Sequence, residues 1–231
     1  MKPKTYLLSI LLLSISLALH AQTADEILEK HAAAMGGMEN WNKIKTLKIT
    51  GTIYQQWAEI PFTFIIDQGK MLKSTTTLNG SSTEFTEYLK DETKTATNPD
   101  PNTSFISNDS ALFFRPHLNM PASLLIDYKT NGMTATYTGM DTILTKPCFV
   151  LKLVTKKGLK ITAFIDQTTY YLLRMETILK NDEGPKEVSV SYKLFRNQDG
   201  VVIPFSCHNN IKGNEFTKET LIKTIEVNPK P

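Results

Sequence analysis

Residues 148–177, CFVLKLVTKKGLKITAFIDQTTYYLLRMET, form the stretch that decides the fold class. In its first segment large apolar residues stand at every second position, Phe149, Leu151 and Leu153. A period of two is typical of β-strands. A Lys-Gly turn at 157–158 leads into a second segment at 159–165, and a turn at 166–169 leads into a third at 170–180. Three strands without an intervening helix predict an antiparallel meander.

The same pattern extends along the chain in both directions. We expect earlier strands at 45–54 and 62–66, weaker candidates at 71–77 and 83–89, a loop with at most one short strand at 105–106, and further strands at 133–137, 187–194, 201–211 and 215–227. The total is about ten or eleven strands. A sheet of that size must curl, and one apolar face without a second helical layer predicts a barrel or half-barrel. The expected fold is therefore mostly β within the α+β class, an incomplete antiparallel barrel.

Two helical segments are predicted to accompany the sheet. The first begins after Thr23, which stands three residues before Glu26 in a capping-box arrangement, and ends at Gly36-Gly37. The second lies within residues 111–128, where a dense apolar run is interrupted by Pro116 and Pro121. Proline prevents one continuous helix there, so we expect short helical turns with an apolar face. Water rarely solvates such a face, so we expect it to cover the sheet as a lid.

Residues 1–21 have the three parts of a secretory signal. Lys2 and Lys4 form the positive region, residues 6–19 are apolar apart from three serines, and Ala21 is the small residue at the expected cleavage site. The run is shorter than the roughly 20 apolar residues of a spanning helix. The first cysteine is Cys148, so no lipidation site follows the signal. We expect cleavage near Ala21-Gln22 and a soluble single domain at 22–231, without a stable membrane anchor.

The charge of the mature chain argues against one class of partner. Removing residues 1–21 takes two lysines from a formal net charge of +3 and leaves +1. A near-neutral chain has no basic field for nucleic acid or for an anionic membrane surface. We therefore expect no nucleic-acid partner.

Few residues point to chemistry. The sequence has no nucleophile elbow, nucleotide-binding loop or zinc-protease motif. Its mature histidines, His31, His117 and His208, lack the spacing of metal ligands. Aspartates such as Asp166 fall in predicted turns, where a carboxylate caps its own backbone. We expect no catalytic residues, no metal and no cofactor.

Two further pairs of residues leave alternatives open. Trp41 and Trp57 fit either packing or a ligand platform. Cys148 and Cys207 lie in separate predicted strands of an exported protein, where disulfides form readily. Whether they come within bridging distance is a question of tertiary structure.

The order of the segments resembles a known family. An export signal and a helix ending in Gly-Gly precede NWNKIKTLKITGTI at 40–53, the apolar mid-chain segment, and the stretch 137–177. DGVVIPFS at 199–206 and TIEVNPKP at 224–231 follow. This arrangement resembles the periplasmic lipoprotein-carrier superfamily, the LolA/LolB-like outer-membrane lipoprotein-sorting proteins, in the form common in Bacteroidetes-type bacteria. It spans nearly the whole mature chain and is most specific at 148–177, where Phe-Ile-Asp-x-x-Thr leads to Arg174.

The resemblance implies a soluble periplasmic carrier whose half-barrel, closed by a helical lid, takes acyl chains. Its ligand would be a lipid or an acylated protein, its role would include lipoprotein sorting to the outer membrane, and its partners would be envelope proteins. The candidate wall residues are Phe62, Phe64, Ile66, Leu151 and Leu153, and the candidate lid residues are Leu118, Leu124 and Leu125. Two alternatives stay open: an envelope scaffold that binds a protein, and a hydrolase with perturbed carboxylates or histidines in the hollow.

One feature of the sequence departs from the family pattern. The known carriers use an arginine inside the barrel to hold the lid shut. Here no arginine precedes Arg115, and the early segments offer only Lys43, Lys45 and Lys48. Arg174 matches a family position in a later strand. The gating mechanism and the specific cargo are therefore open at this stage.

Overall fold

The computed structural model describes residues 23–67, 70–89, 103–106, 125–181, 184–213 and 217–229. Helices α1 and α2 come first in the described chain, and strands β1 to β12 follow. The helices are α1 (Ala24–Ala34) and α2 (Gly37–Lys43). The strands are β1 (Thr46–Gln55), β2 (Ala58–Asp67), β3 (Met71–Leu78), β4 (Ser81–Leu89), β5 (Thr103–Ile106), β6 (Thr134–Ile143), β7 (Lys146–Val154), β8 (Lys160–Asp166), β9 (Leu172–Asn181), β10 (Gly184–Gln198), β11 (Val201–Ile211) and β12 (Lys218–Val227).

All the strands belong to one unclosed sheet. Their order is β5-β4-β3-β2-β1-β12-β11-β10-β9-β8-β7-β6, so β5 and β6 form the two edges and β1 meets β12 in the middle. Every neighbouring pair is antiparallel except β4 with the four-residue strand β5, which is parallel. The predicted incomplete antiparallel barrel with an amino-terminal helix is confirmed, and β5 extends it by one parallel strand.

One face of this sheet, the inner face, carries two apolar clusters. The α1 cluster joins Ile27 and Leu28 of α1 to the inward side chains of β7–β10. The α2 cluster joins Trp41 of α2 to the inward side chains of β1–β3 and to β11 and β12. One cross-strand row runs through both clusters and shows that they share a face: Tyr192, Cys207, Thr220, Ile53 and Ile60.

The opposite, outer face has a smaller apolar cluster of its own. Cys148, Phe164 and Leu173 are buried there, each next in sequence to a residue of the α1 cluster. Adjacent residues of a strand point to opposite faces of a sheet. The thiols of Cys148 and Cys207 therefore lie on different faces, and both are free. The disulfide that the sequence left open is absent from this fold.

Helix α1 begins as predicted, and a histidine takes part in its buried face. The capping box is present, since Thr23 Oγ1 accepts from Glu26 N at 3.2 Å and Glu26 Oε2 accepts from Thr23 N at 2.9 Å. The buried positions are Ala24, Ile27, Leu28 and His31.

Helix α2 was not predicted, although its sequence contributes a core residue. Trp41 is 4% exposed, and its indole Nε1 donates to Met35 O at 2.8 Å. Trp41 therefore packs in the core and is not an exposed ligand platform. Trp57 is fully exposed in the turn between β1 and β2, so it does not pack in the core.

The predicted mid-chain lid lies mostly outside the described residues. The described part starts at Leu125, and Leu125 and Ile126 are helical. None of the helices in the described ranges is long and apolar enough to cross a membrane. The signal segment 1–21 also lies outside the described residues.

Candidate functional site

The inner face is the candidate site, because it is where the sequence placed the ligand-binding wall. Phe62, Phe64 and Ile66 all lie on β2 and belong to the α2 cluster. Pairing with β1 sets them opposite Gly51, Ile49 and Leu47. The rings of Phe62 and Phe64 stack with centroids 4.1 Å apart. Alternation along β2 therefore brings these three candidates together on one wall.

Leu151 and Leu153 form a second, separate part of the wall. Both are fully buried in the α1 cluster on β7, opposite Ala163 and Ile161 of β8. The structure thus places the five wall candidates in two clusters, on strands that are separated along the sheet by β8 to β12 and β1.

The one lid candidate within the described residues enters the space between these clusters. Leu125 is fully buried in the α1 cluster, and the next residue, Ile126, packs against the α2 cluster. The chain just after the predicted lid therefore touches both halves of the inner face. Leu118 and Leu124 lie outside the described residues.

Polar contacts hold α1 and this segment in place at one end of the helix. Asp25 of α1 accepts a hydrogen bond from the Tyr128 hydroxyl and forms an ion pair with Lys129, whose Nζ lies 2.7 Å from Oδ2. The Lys129 and Tyr128 donors lower the pKa of Asp25. The first turn of α1 is thereby tied to the residues that lead into β6.

His31 fastens the other end of α1 to the turn between β8 and β9. Its Nδ1 lies 2.7 Å from Tyr170 O, and since a carbonyl only accepts, Nδ1 carries the proton. The ring is fully buried, and its Nε2 has no hydrogen-bond partner among the described residues. Burial lowers the pKa of His31 to about 4, so the ring is neutral near pH 7.

The predicted turn role of Asp166 is present in the structure. Its Oδ1 accepts from Thr168 N at 2.8 Å and Thr169 N at 2.9 Å, and Lys146 Nζ lies 3.3 Å from Oδ2. Burial alone would raise the pKa of this carboxyl, but these donors outweigh it and lower the pKa. The carboxylate thus caps its own turn.

Arg174 points away from the inner face. Its strand neighbour Met175 is fully buried in the α1 cluster, so Arg174 lies on the outer face, where its Nε is 2.7 Å from Glu176 Oε1. Lys43 pairs with Glu39, and Lys48 pairs with Glu226, both in exposed positions. Lys45 Nζ donates to Asn42 O. These four cations do not enter the apolar clusters.

A polar pocket opens at the end of the sheet where β7 turns into β8. Its volume is about 1110 Å³, and it is bounded by the 157–160 turn and by the adjoining ends of β8 to β11. Both faces of the sheet contribute to it, since Val188 belongs to the α1 cluster and Ser189 points the other way. Sequence reasoning missed this pocket, because non-local strand pairing brings its residues together.

No metal cluster is found in the described part of the chain. Within those ranges, no three His, Cys, Asp or Glu side chains lie close enough to hold a metal ion.

Comparison with solved structures shows what this architecture is similar to. A LolA superfamily protein from Nitrosomonas europaea superposes with a TM-score of 0.52 over 91% of this chain and 96% of its own, at 11% sequence identity. The chain has a LolA-like fold. A putative outer-membrane lipoprotein-sorting protein domain from Vibrio parahaemolyticus superposes with a TM-score of 0.50 at 11% identity, over 88% of this chain and 91% of its own.

The LolA-like fold is seen in structure rather than in sequence. A DUF1329 family protein from Desulfovibrio piger covers 90% of this chain and 94% of its own, with a TM-score of 0.49 at 9% identity. No protein-family model matches the chain, and no curated protein matches it. At such low identity the likeness concerns the fold alone.

Proposed function

We propose that the protein is an exported carrier of an acylated or otherwise apolar ligand. The observation that supports this most is the inner face: one unclosed sheet with two apolar clusters on the same face, each joined by a helix. A LolA-like fold with such a face offers a surface from which protein side chains can be displaced by an acyl chain. The mature unit is taken as one domain at 22–231 in the periplasm.

The energetics of such a carrier depend on exchange between its own side chains and the ligand. Each CH₂ group removed from water contributes roughly 0.8 kcal/mol, so a single acyl chain binds usefully and several would bind too tightly for release. Leu125, already buried between the clusters, would compete with the ligand for the same surface. The ligand therefore binds by displacing the protein's own side chains from the inner face. This competition weakens the affinity for the ligand enough for the ligand to pass to an acceptor.

Within this proposal the wall residues keep the roles that the sequence suggested. Phe62, Phe64 and Ile66 would contact ligand on the α2 side, and Leu151 and Leu153 on the α1 side. Leu118, Leu124 and Leu125 would form the lid. Lipoprotein sorting to the outer membrane is the transport role we propose, with envelope proteins as donor and acceptor.

The test is native mass spectrometry of the mature protein purified from its own envelope. We expect a co-purifying lipid or acylated species, released on unfolding, and binding of a fluorescent acyl probe by the delipidated protein. Absence of both would contradict the carrier function. A Phe64→Ala variant should weaken probe binding about tenfold, since it removes a large apolar contact. Tyr88→Ala, on the surface of β4, is the matched control and should bind normally.

A scaffold is the second candidate, and one observation favours it. Leu125, Leu151 and Leu153 are fully buried by the protein's own side chains. An inner face filled in this way would need no ligand, and the outer face would bind a protein partner. A crystal structure of the lipid-free protein separates the two: an inner face without space for an acyl chain, together with no probe binding, favours the scaffold.

A further inference from the structure

Two polar atoms in the layer between α1 and the sheet have no hydrogen-bond partner among the described residues. They are Nε2 of His31 and the hydroxyl oxygen of Tyr192. His31 is 0% exposed and Tyr192 is 2% exposed, so bulk water does not reach either side chain. A buried polar group without a partner destabilises a fold, and folded proteins contain few of them. A ligand that supplies the missing hydrogen bonds would remove this cost.

Both side chains lie at the start of β9, on the inner side of the sheet. His31 is held there by Tyr170 O, which lies 2.7 Å from its Nδ1 and belongs to the turn just before β9. Tyr192 follows Ser191 on β10, and Ser191 pairs with Arg174 near the start of β9. Tyr192 belongs to the α1 cluster, on which α1 packs with the face that carries His31. The fold thus brings a helix residue and a strand residue to one part of the inner face.

The α1 cluster, to which Tyr192 belongs, is otherwise almost entirely apolar. It contains Leu125, Ile165 and Leu172, none of which is more than 3% exposed. The cross-strand neighbour of Tyr192 is Cys207, whose thiol is only a weak hydrogen-bond donor. A hydrogen bond is electrostatically stronger in such surroundings than in water. One polar group on an otherwise apolar ligand would therefore be recognised strongly here.

The two unpartnered atoms have complementary roles in hydrogen bonding. Because Nδ1 of His31 carries the proton that is donated to Tyr170 O, Nε2 is an acceptor. Burial lowers the pKa of His31 to about 4 and raises the pKa of Tyr192. At pH 7 the ring of His31 is therefore neutral, and the hydroxyl of Tyr192 keeps its proton and can donate it.

These roles select one kind of ligand group. An aliphatic hydroxyl both donates and accepts, so it can serve His31 and Tyr192 together. An ether or ester oxygen only accepts and would leave Nε2 of His31 without a partner. A carboxylate or phosphate would bring a charge into an apolar cluster in which the described residues provide no opposite charge, and this is costly.

We propose that the carried ligand is an aliphatic chain with a neutral hydroxyl group, which binds to His31 and Tyr192 at the start of β9. The hydroxyl would donate to Nε2 of His31 and accept from Tyr192, and the hydrocarbon chain would take the place of Leu125 in the α1 cluster. This inference rests on the proposed carrier function and narrows its ligand to a hydroxylated chain.

The test displaces a fluorescent acyl probe from the delipidated protein with 1-decanol or with 1-methoxydecane, both below their solubility limits at pH 7. The ether keeps the acceptor oxygen of the alcohol and lacks its donor. In Tyr192→Phe the affinities for both compounds should fall about fivefold, since both lose a hydrogen bond. In His31→Asn, whose amide still donates to Tyr170 O but is too short to replace Nε2, the ratio of alcohol to ether affinity should fall about fivefold.

A second tyrosine provides the matched control. Tyr54 is 36% exposed, and it lies on the outer face because the adjacent Ile53 is buried in the α2 cluster. Tyr54→Phe removes the same hydroxyl group from a tyrosine outside the proposed site and should change neither affinity. Circular dichroism checks that each variant is folded, and Tyr192→Phe keeps the proposal testable if His31→Asn does not fold.

The stability of the ligand-free protein separates ligand binding from a structural role of the hydroxyl. Tyr192→Phe removes a group without a protein partner, so its midpoint of urea unfolding should equal or exceed that of the unsubstituted protein. A lower midpoint together with unchanged alcohol affinity would show that a buried water is the partner, and would overturn the proposal.

Two further outcomes separate this inference from the function on which it rests. If the acyl probe binds and neither variant alters the affinity for 1-decanol or 1-methoxydecane, the hydroxyl site is overturned and the carrier function stands. If the protein binds neither the acyl probe nor, by thermal shift, either decyl compound, both are overturned.

Discussion

At the scale of single residues, His31 makes the stability of the fold depend on pH. It is fully buried, donates from Nδ1 to Tyr170 O, and has a pKa lowered to about 4 by burial. The unfolded chain, with a histidine pKa of about 6.5, binds more protons than the folded chain between these values. The free energy of unfolding therefore falls as pH drops from 7 towards 4.

We expect His31 to account for about 2 kcal/mol of that loss between pH 7 and pH 4.5. His31→Asn, which retains a donor for Tyr170 O, should remove this part of the pH dependence in urea unfolding. The unsubstituted protein, unfolded in urea at the same pH values, is the reference for the slope. An unchanged slope in His31→Asn would show that the buried ring is not the titrating group.

The two thiols give a second prediction at the same scale. Burial raises the pKa of Cys207 to about 12 and also raises the pKa of Cys148. The thiolate is the reactive form, so neither cysteine should react with iodoacetamide at pH 8 in the folded protein. Mass spectrometry should show no label before unfolding and two labels after it. Rapid labelling of the native protein, or a mass that indicates a disulfide, would contradict the structure.

At the scale of elements, the corner between α1 and α2 depends on Gly36. Its φ is +102°, and a Cβ there would lie 2.3 Å from Gly200 O and 2.8 Å from Val201 Cα. Both neighbours are backbone of the β10–β11 hairpin, which cannot move aside as a flexible side chain would. Val202 N also donates to Met35 O at this corner, so the backbone between the two helices is in direct contact with the backbone of the sheet.

Gly36→Ala should therefore destabilise the protein by about 3 kcal/mol or more, through strain and overlap together. Gly37→Ala is the matched control, since its φ is +77° but nothing lies within 4 Å of an added Cβ. It should cost only about 1–2 kcal/mol, the backbone strain alone. Urea unfolding of the two variants measures the difference. Equal losses would mean that the helices do not pack on the β10–β11 hairpin as described.

At the scale of the whole molecule, a ligand bound to the inner face of the sheet should stabilise the folded protein. A ligand that binds only the folded protein stabilises it by about 2.7 kcal/mol at a hundredfold excess over Kd. For a domain of this size we expect a single-chain dodecyl probe, below its micelle-forming concentration, to raise Tm by about 5–10 °C at that excess. Differential scanning fluorimetry measures the shift. A dodecyl probe that leaves Tm unchanged at every concentration would contradict a carrier with an accessible inner face.

Much of this architecture could be predicted from local sequence. The alternation at Phe149, Leu151 and Leu153, the capping box at Thr23 and the turn at Asp166 each depend on neighbours within a few residues, and each is present in the fold. Helix α2 was missed because a seven-residue helix is marginal by itself. Its stability comes from contacts with Met35 and with the β10–β11 hairpin.

Local sequence patterns predict only part of the candidate site. Alternation correctly predicted which residues of β2 and β7 are buried, because a strand needs only its own sequence to choose a face. It could not show that these residues fall in two clusters, or that Cys148 and Cys207 occupy different faces. Nor could it bring Lys160, Arg174 and Lys212 to one pocket.

The sequence by itself determined the strands, the first helix and the apolar face, since periodicity and caps are properties of adjacent residues. Only the tertiary structure decided the order of the strands, the meeting of β1 with β12 and the place of the polar pocket. The physical reason is register: pairs such as Glu176 with Ser189 are set by hydrogen bonds between separate strands, whose partners no local pattern specifies.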